Sequence, residues 1–91
     1  MDVSLAIEAL KEILHASGAF QVTTFECYRE LPGGGAQRII VEVFDAGRGA
    51  RSGERYSCRA HTEDGKSQAL GSPADSIETA LAAVHWFDLD K

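Results

Sequence analysis

Two cysteines, Cys27 and Cys58, and three histidines, His15, His61 and His85, carry the side chains best suited to hold a metal or act as activated nucleophiles. Their spacing works against both chemistries. No pair has the spacing of a zinc knuckle, and no two histidines stand at i and i+4 on a helix. Cys58 and His61 are three residues apart in a segment of strand character, which sends them to opposite sides. A thiol nucleophile needs a base within hydrogen-bond reach, and Cys27 meets a histidine only if the fold brings one. The Gly33-Gly34-Gly35 run has no Lys and leads into a strand rather than a helix, so it reads as a hairpin loop and not as a phosphate cradle. The sequence therefore implies no catalytic residue, no metal ligand set and no cofactor.

Two features remain that suit binding. Residues 38–59 hold Arg38, Arg48, Arg51, Arg55 and Arg59 against Glu42, Asp45 and Glu54, a local charge of +2 in a chain of net charge −5. Arginine forks recognise carboxylates and phosphates, so Arg38, Arg55, Arg59 and His61, with Arg48 and Arg51 in the adjoining loop, form a candidate surface for an anion or an acidic partner. The competing reading is a solvated strand face with cross-strand ion pairs such as Glu42 with an Arg. The second feature is Trp86, which sits opposite the apolar stripe of the last helix if that helix runs on. It would then be an exposed aromatic anchor for a partner. If the helix stops earlier, Trp86 folds back onto the domain. Ile40 and Phe44 offer a further apolar patch.

The elements that must position these residues follow from periodicity. Residues 3–17 read as a helix, with Asp2 as N-cap and Gly18 as stop. Its apolar arc, from Leu5, Ala9 and Ala16 through Val3, Ala6, Ile7, Leu10, Ile13 and Leu14, is wide enough for two neighbours, one of them a sheet and the other the second helix or another chain. Residues 20–30 read as a strand whose alternation changes phase at Thr24-Phe25, which suits a bulge or an edge. Residues 37–45 carry apolar groups on both faces and read as the central strand. Residues 54–62 alternate cleanly, with Tyr56, Cys58, Ala60 and Thr62 on one side and Arg55, Ser57, Arg59 and His61 on the other. Asp64-Gly65 is a turn, and Lys66 to Leu70 is a short fourth strand or a loop. Ser72 as N-cap, Pro73 at N1 and Asp75 at N3 start the last helix, which should end near Phe87 or Asp88. The expected fold is a single α+β domain over residues 1–91, with two helices on one face of a three-stranded antiparallel sheet.

The α-β-β-β-α order resembles the double-stranded-RNA-binding fold along the whole chain. That family grips phosphates with a Lys-rich start of its last helix, whereas Ser72-Pro73-Ala74-Asp75-Ser76-Ile77-Glu78 holds two acids and no base. The resemblance implies the architecture and not the RNA function. The order also resembles HicB-like antitoxin domains through Asp64-Gly65, Gly71-Ser72 and Glu78-Thr79-Ala80-Leu81, with the spacing displaced by Pro73-Ala74-Asp75.

Composition bounds the function. At 44% hydrophobic and 25% charged, the chain has the makeup of one small globular domain. An excess of 14 acids over 9 bases argues against a general grip on nucleic acid or anionic membrane. No apolar run approaches the length of a membrane span. Met1-Asp2-Val3-Ser4 has no signal-peptide character, so a cytoplasmic setting with reduced thiols is expected. These readings converge on a non-enzymatic protein-interaction or assembly module, with a protein partner or a second copy as its target. The alternatives are anion or nucleic-acid binding by the arginines, and a thiol- or His-dependent enzyme.

Overall fold

A computed structural model describes residues 3–90, and for Val3 the backbone alone; the expected cap Asp2 lies outside them. The chain runs α1 (Val3–Leu14), β1 (Gln21–Glu30), β2 (Ala36–Asp45), β3 (Tyr56–Thr62), β4 (Gln68–Leu70) and α2 (Ile77–Ala82), closing with a 3-10 helix over Trp86–Asp90. The fold is α+β. Its sheet is a four-stranded antiparallel meander in the order β1-β2-β3-β4, one strand more than the expected three. The fourth strand exists because Gly65, at φ 74°, turns the chain after Thr62. The Asp64 carboxylate then accepts from the Thr62 hydroxyl and the Lys66 amide, and Ser67 and Thr62 close the hairpin end.

β2 is internal, as its two-sided apolar pattern requires. Ile39, Val41 and Val43 are buried on one face, where they meet Thr62, Ala60 and Cys58 of β3. Ala69, Ala74, Ala80, Val84 and Leu89 complete the core. Most of these residues are small, which lets the last helices come close to the sheet. At Gly71 the approach is tight: an added Cβ would lie 3.0 Å from the backbone of Val84. β1 pairs with β2 without interruption from Gln21↔Asp45 to Glu30↔Ala36. The phase change at Thr24-Phe25 thus marks an edge strand and not a bulge.

Three expectations about the helices are corrected. First, α1 ends at Leu14 and not at 17. His15 takes a left-handed φ of 53°, and the Ala16 amide returns to the Lys11 carbonyl at 3.0 Å. Second, Ser72 does not cap the last helix. Ala74 exchanges both backbone hydrogen bonds with Tyr56, at 2.8 and 2.9 Å, which holds the segment extended. Asp75 is occupied by the Gly53 amide at 2.6 Å, so the cap falls to Ser76, whose Oγ accepts from the Thr79 amide at 3.1 Å. The helix stops at Ala82 because the chain turns back to β4, where the His85 amide donates to the Leu70 carbonyl. Third, the two helices do not share one face of the sheet. α2 and the 3-10 helix pack on β3 and β4, while α1 makes no more than marginal contact with any strand. It is held instead by the loop after β2. Ser4 Oγ accepts from the Arg48 amide at 2.9 Å, and Gly47, at φ 83°, passes so close to α1 that an added Cβ would lie 3.3 Å from Ile7 Cδ1 and from Ser4 Oγ. The molecule is elongated, measuring 50 × 23 × 22 Å.

Candidate functional site

The expected arginine surface is resolved into ion pairs. Arg59 on β3 sits opposite Glu42 in register and donates to its Oε1 at 2.9 Å, with the guanidinium over the Phe44 ring at 5.1 Å. His61 shares that carboxylate, its Nε2 3.9 Å away. Arg38 bridges Glu26 on β1 and Glu63 beyond β3, and these hydrogen bonds, Glu26 first, raise the guanidinium pKa further. Arg55 precedes β3 and does not join Arg59 and His61. It grips Asp45 with two nitrogens, at 2.9 and 3.3 Å, and lies over the Tyr56 ring. The Arg55 hydrogen bond, aided by the Gly47 amide against the cost of burial, holds the Asp45 carboxyl below its ordinary value. Arg48 and Arg51 are exposed in the loop near α1. Arg51 lines a cleft of about 390 Å³ together with Lys11, Glu8 and Glu54, two bases against two acids. Arg38, Arg55 and Arg59 are thus each met by a carboxylate, and Arg51 lies in a cleft whose charges balance.

The thiols stay apart. Cys58 is buried in the core, and burial pushes its pKa up, which disfavours the thiolate. Cys27 is exposed on β1. Among the described residues, no three His, Cys, Asp or Glu side chains gather as a metal site would require, and no helix is long and apolar enough to cross a membrane.

No family model, curated protein or solved structure matches the chain. The functional reading therefore stands on its surface.

That surface is most unusual at α1 and β1. Ile13 and Leu14 of α1 are 72% and 66% exposed, and Leu5 and Leu10 also face solvent. Of the α1 arc described, only Ile7 is buried. On β1, Phe25 is 50% and Tyr28 67% exposed, with Val22 and the flanking Phe20 and Leu31 beside them. Phe25, Thr23 and Cys27 pair with Val41, Val43 and Ile39, so they extend the core face of the sheet; α2 and the 3-10 helix cover β3 and β4 and leave this part open. Trp86 lies past the end of α2, in the 3-10 helix; it is 37% exposed, and its indole Nε1 donates to the Leu81 carbonyl at 3.0 Å. Ile40 and Phe44 are half-buried, and Phe20 meets the Phe44 ring edge-on. Two signals in the sequence pointed to the α1–β1 surface: the arc too wide for one neighbour, and the phase change of an edge strand. Neither says which residues stay uncovered.

Proposed function

We infer that the protein is a non-enzymatic interaction module that binds another protein through α1 and β1. The observation that carries this reading is the set of large apolar side chains held in solvent along both elements, including Ile13, Leu14, Phe25 and Tyr28. Ordinary monomers scatter such residues singly, whereas here they gather on two successive elements, with Phe25 on the core face of β1 and Val22 and Tyr28 on its other face; exposed apolar surface of this kind marks binding sites. The reading is supported by the core, which is complete without them: Ile39, Val41, Val43, Cys58 and Leu89 are buried while these residues are not. An Arg-based anion site gains no support, since Arg38, Arg55 and Arg59 are each engaged by carboxylates.

The test is photo-crosslinking in cells that make the full chain, with a benzophenone side chain placed at Leu14 or at Tyr28 and, as control, at Glu63. Protein adducts, a second copy included, are expected from the first two positions and not from Glu63. Absence of adducts at both positions, with α1 found folded over Phe25 in solution, sinks the reading.

A further inference from the structure

We propose that β1 is a self-pairing edge, and that the module's partner is a second copy of this chain joined β1 to β1, antiparallel and centred on Phe25. This rests on the reading of α1 and β1 as an interaction surface and names its occupant. β1 is one of the two free edges of the sheet. The other, β4, has three residues and is packed by the 3-10 helix, whereas β1 has ten. Edge strands that must stay single are short, bulged or covered, or carry Pro or charges. β1 is long, unbulged and without Pro or Lys, and two of its three charged residues are engaged within the chain, Glu26 by Arg38 and Arg29 by Asp90.

The sequence of β1 supplies the argument for a second copy. Read outward from Phe25, the two directions match in character: Thr24 and Glu26 are polar, Thr23 and Cys27 small, Val22 and Tyr28 apolar, Gln21 and Arg29 polar. A two-fold axis through Phe25 sets each of these residues opposite its counterpart in the second copy. A two-fold contact needs such self-complementarity, and aromatic and β-branched cross-strand pairs stabilise it. In this register no like charges face one another. Moving the axis to Glu26 would also pair matching faces, but it sets Glu26 against Glu26. Moving it to Thr24 sets Tyr28 against Phe20, which precedes the strand, and leaves Arg29 and Glu30 opposite the α1–β1 turn. A shift that places the axis between residues would send each core face against an outer face. The centred register also places the root of each α1, at Ala19, beside Leu31 of the second copy. A stable homodimer covers roughly 800 Å² on each partner. Phe20, Val22, Phe25, Tyr28 and Leu31, each more than a third exposed, contribute apolar surface from both faces of the strand.

The register can be read chemically. Thr23 and Cys27 of one strand are four residues apart, about 13 Å at the rise of a β-strand, too far for a disulfide within one chain. In the proposed pairing they face each other across the axis. Under mild oxidation, Thr23→Cys should form covalent dimers whose disulfide joins position 23 to Cys27. The double variant Thr23→Cys/Cys27→Ser should not, because the two copies of position 23 are again about 13 Å apart. Sedimentation of the unmodified chain should show a concentration-dependent dimer. Phe25→Glu, which sets two carboxylates on the axis at an exposed site, should weaken it by roughly tenfold or more while keeping the far-ultraviolet circular dichroism of the folded chain. A dimer whose disulfide joins Cys27 to Cys27 overturns the register. A strict monomer whose photo-adducts at Tyr28 are other proteins ends the proposal and leaves the interaction reading intact. A strict monomer without adducts ends both.

Discussion

Asp45 is the residue on which the end of the sheet depends. It closes β2 in register with Tyr56, accepts two hydrogen bonds from Arg55 and receives the Gly47 amide at 2.8 Å. That amide belongs to the loop that holds α1, so one carboxylate links the strand pair to the helix anchor. Its pKa is depressed, chiefly by Arg55. A depressed carboxylate stabilises the fold above its unfolded pKa, and the stabilisation is lost as pH falls through the folded value. Asp45→Asn should therefore cost on the order of 1–2 kcal/mol at neutral pH. The gap to the parent should close as the solution is taken below the ordinary carboxylate range. Urea unfolding at neutral and acidic pH, at one fixed protein concentration, measures it; a gap that persists unchanged in acid counts against the ion pair as its source. Arg59–Glu42, more exposed on the arginine side, should show a smaller effect of the same sign.

Among the elements, the last helix separates what local sequence specifies from what tertiary contact decides. Ser72 and Ser76 are both good caps by type, and Ser72-Pro73 is the stronger local signal. The bridge between Ala74 and Tyr56 settles the choice, and no local rule contains it. Ser76→Ala should thus destabilise the protein by about 1 kcal/mol, and Ser72→Ala should leave the melting temperature nearly unchanged. Equal losses from the two would contradict the capping assignment. The same division explains the rest of the fold. β2 was legible as the central strand because both its faces are apolar, and β3 because Cys58, Ala60 and Thr62 alternate with Ser57, Arg59 and His61. The turns at Gly34-Gly35 and Asp64-Gly65 were legible because positive φ favours glycine. The position of α1 was not. Amphipathicity states that a face is to be covered and is silent about what covers it, so Ile13 and Leu14 read as core while they stand in solvent. The arginines left two readings open for a related reason: a charge count along the chain omits the register, and only the register shows that the arginine facing Glu42 is Arg59.

At the scale of the whole molecule, shape and charge bear on the same question. A compact domain of this length has a radius of gyration of about 12 Å, and this chain has 15.2 Å. The excess comes from the long β1–β2 hairpin and from α1, which projects without being packed on the sheet, and both are surfaces that a second copy would cover. Net charge works against association, because each copy carries −5 and two copies repel. At the proposed contact, however, no charged residue faces another, Glu26 lying opposite Thr24 and Arg29 opposite Gln21. Salt then screens the repulsion and removes little attraction, the Debye length falling from about 10 Å at 0.1 M to about 3 Å at 1 M. Self-association should accordingly tighten as ionic strength rises, by roughly threefold or more across that range. It should tighten also as pH approaches the sequence pI of about 5.0. Binding by arginines to an anion, or a dimer held by ion pairs, responds in the opposite direction, since salt competes for each charged contact. Sedimentation equilibrium at several salt concentrations separates the two: a dimer that weakens with salt would remove the β1 pairing as its basis and return the arginines to consideration.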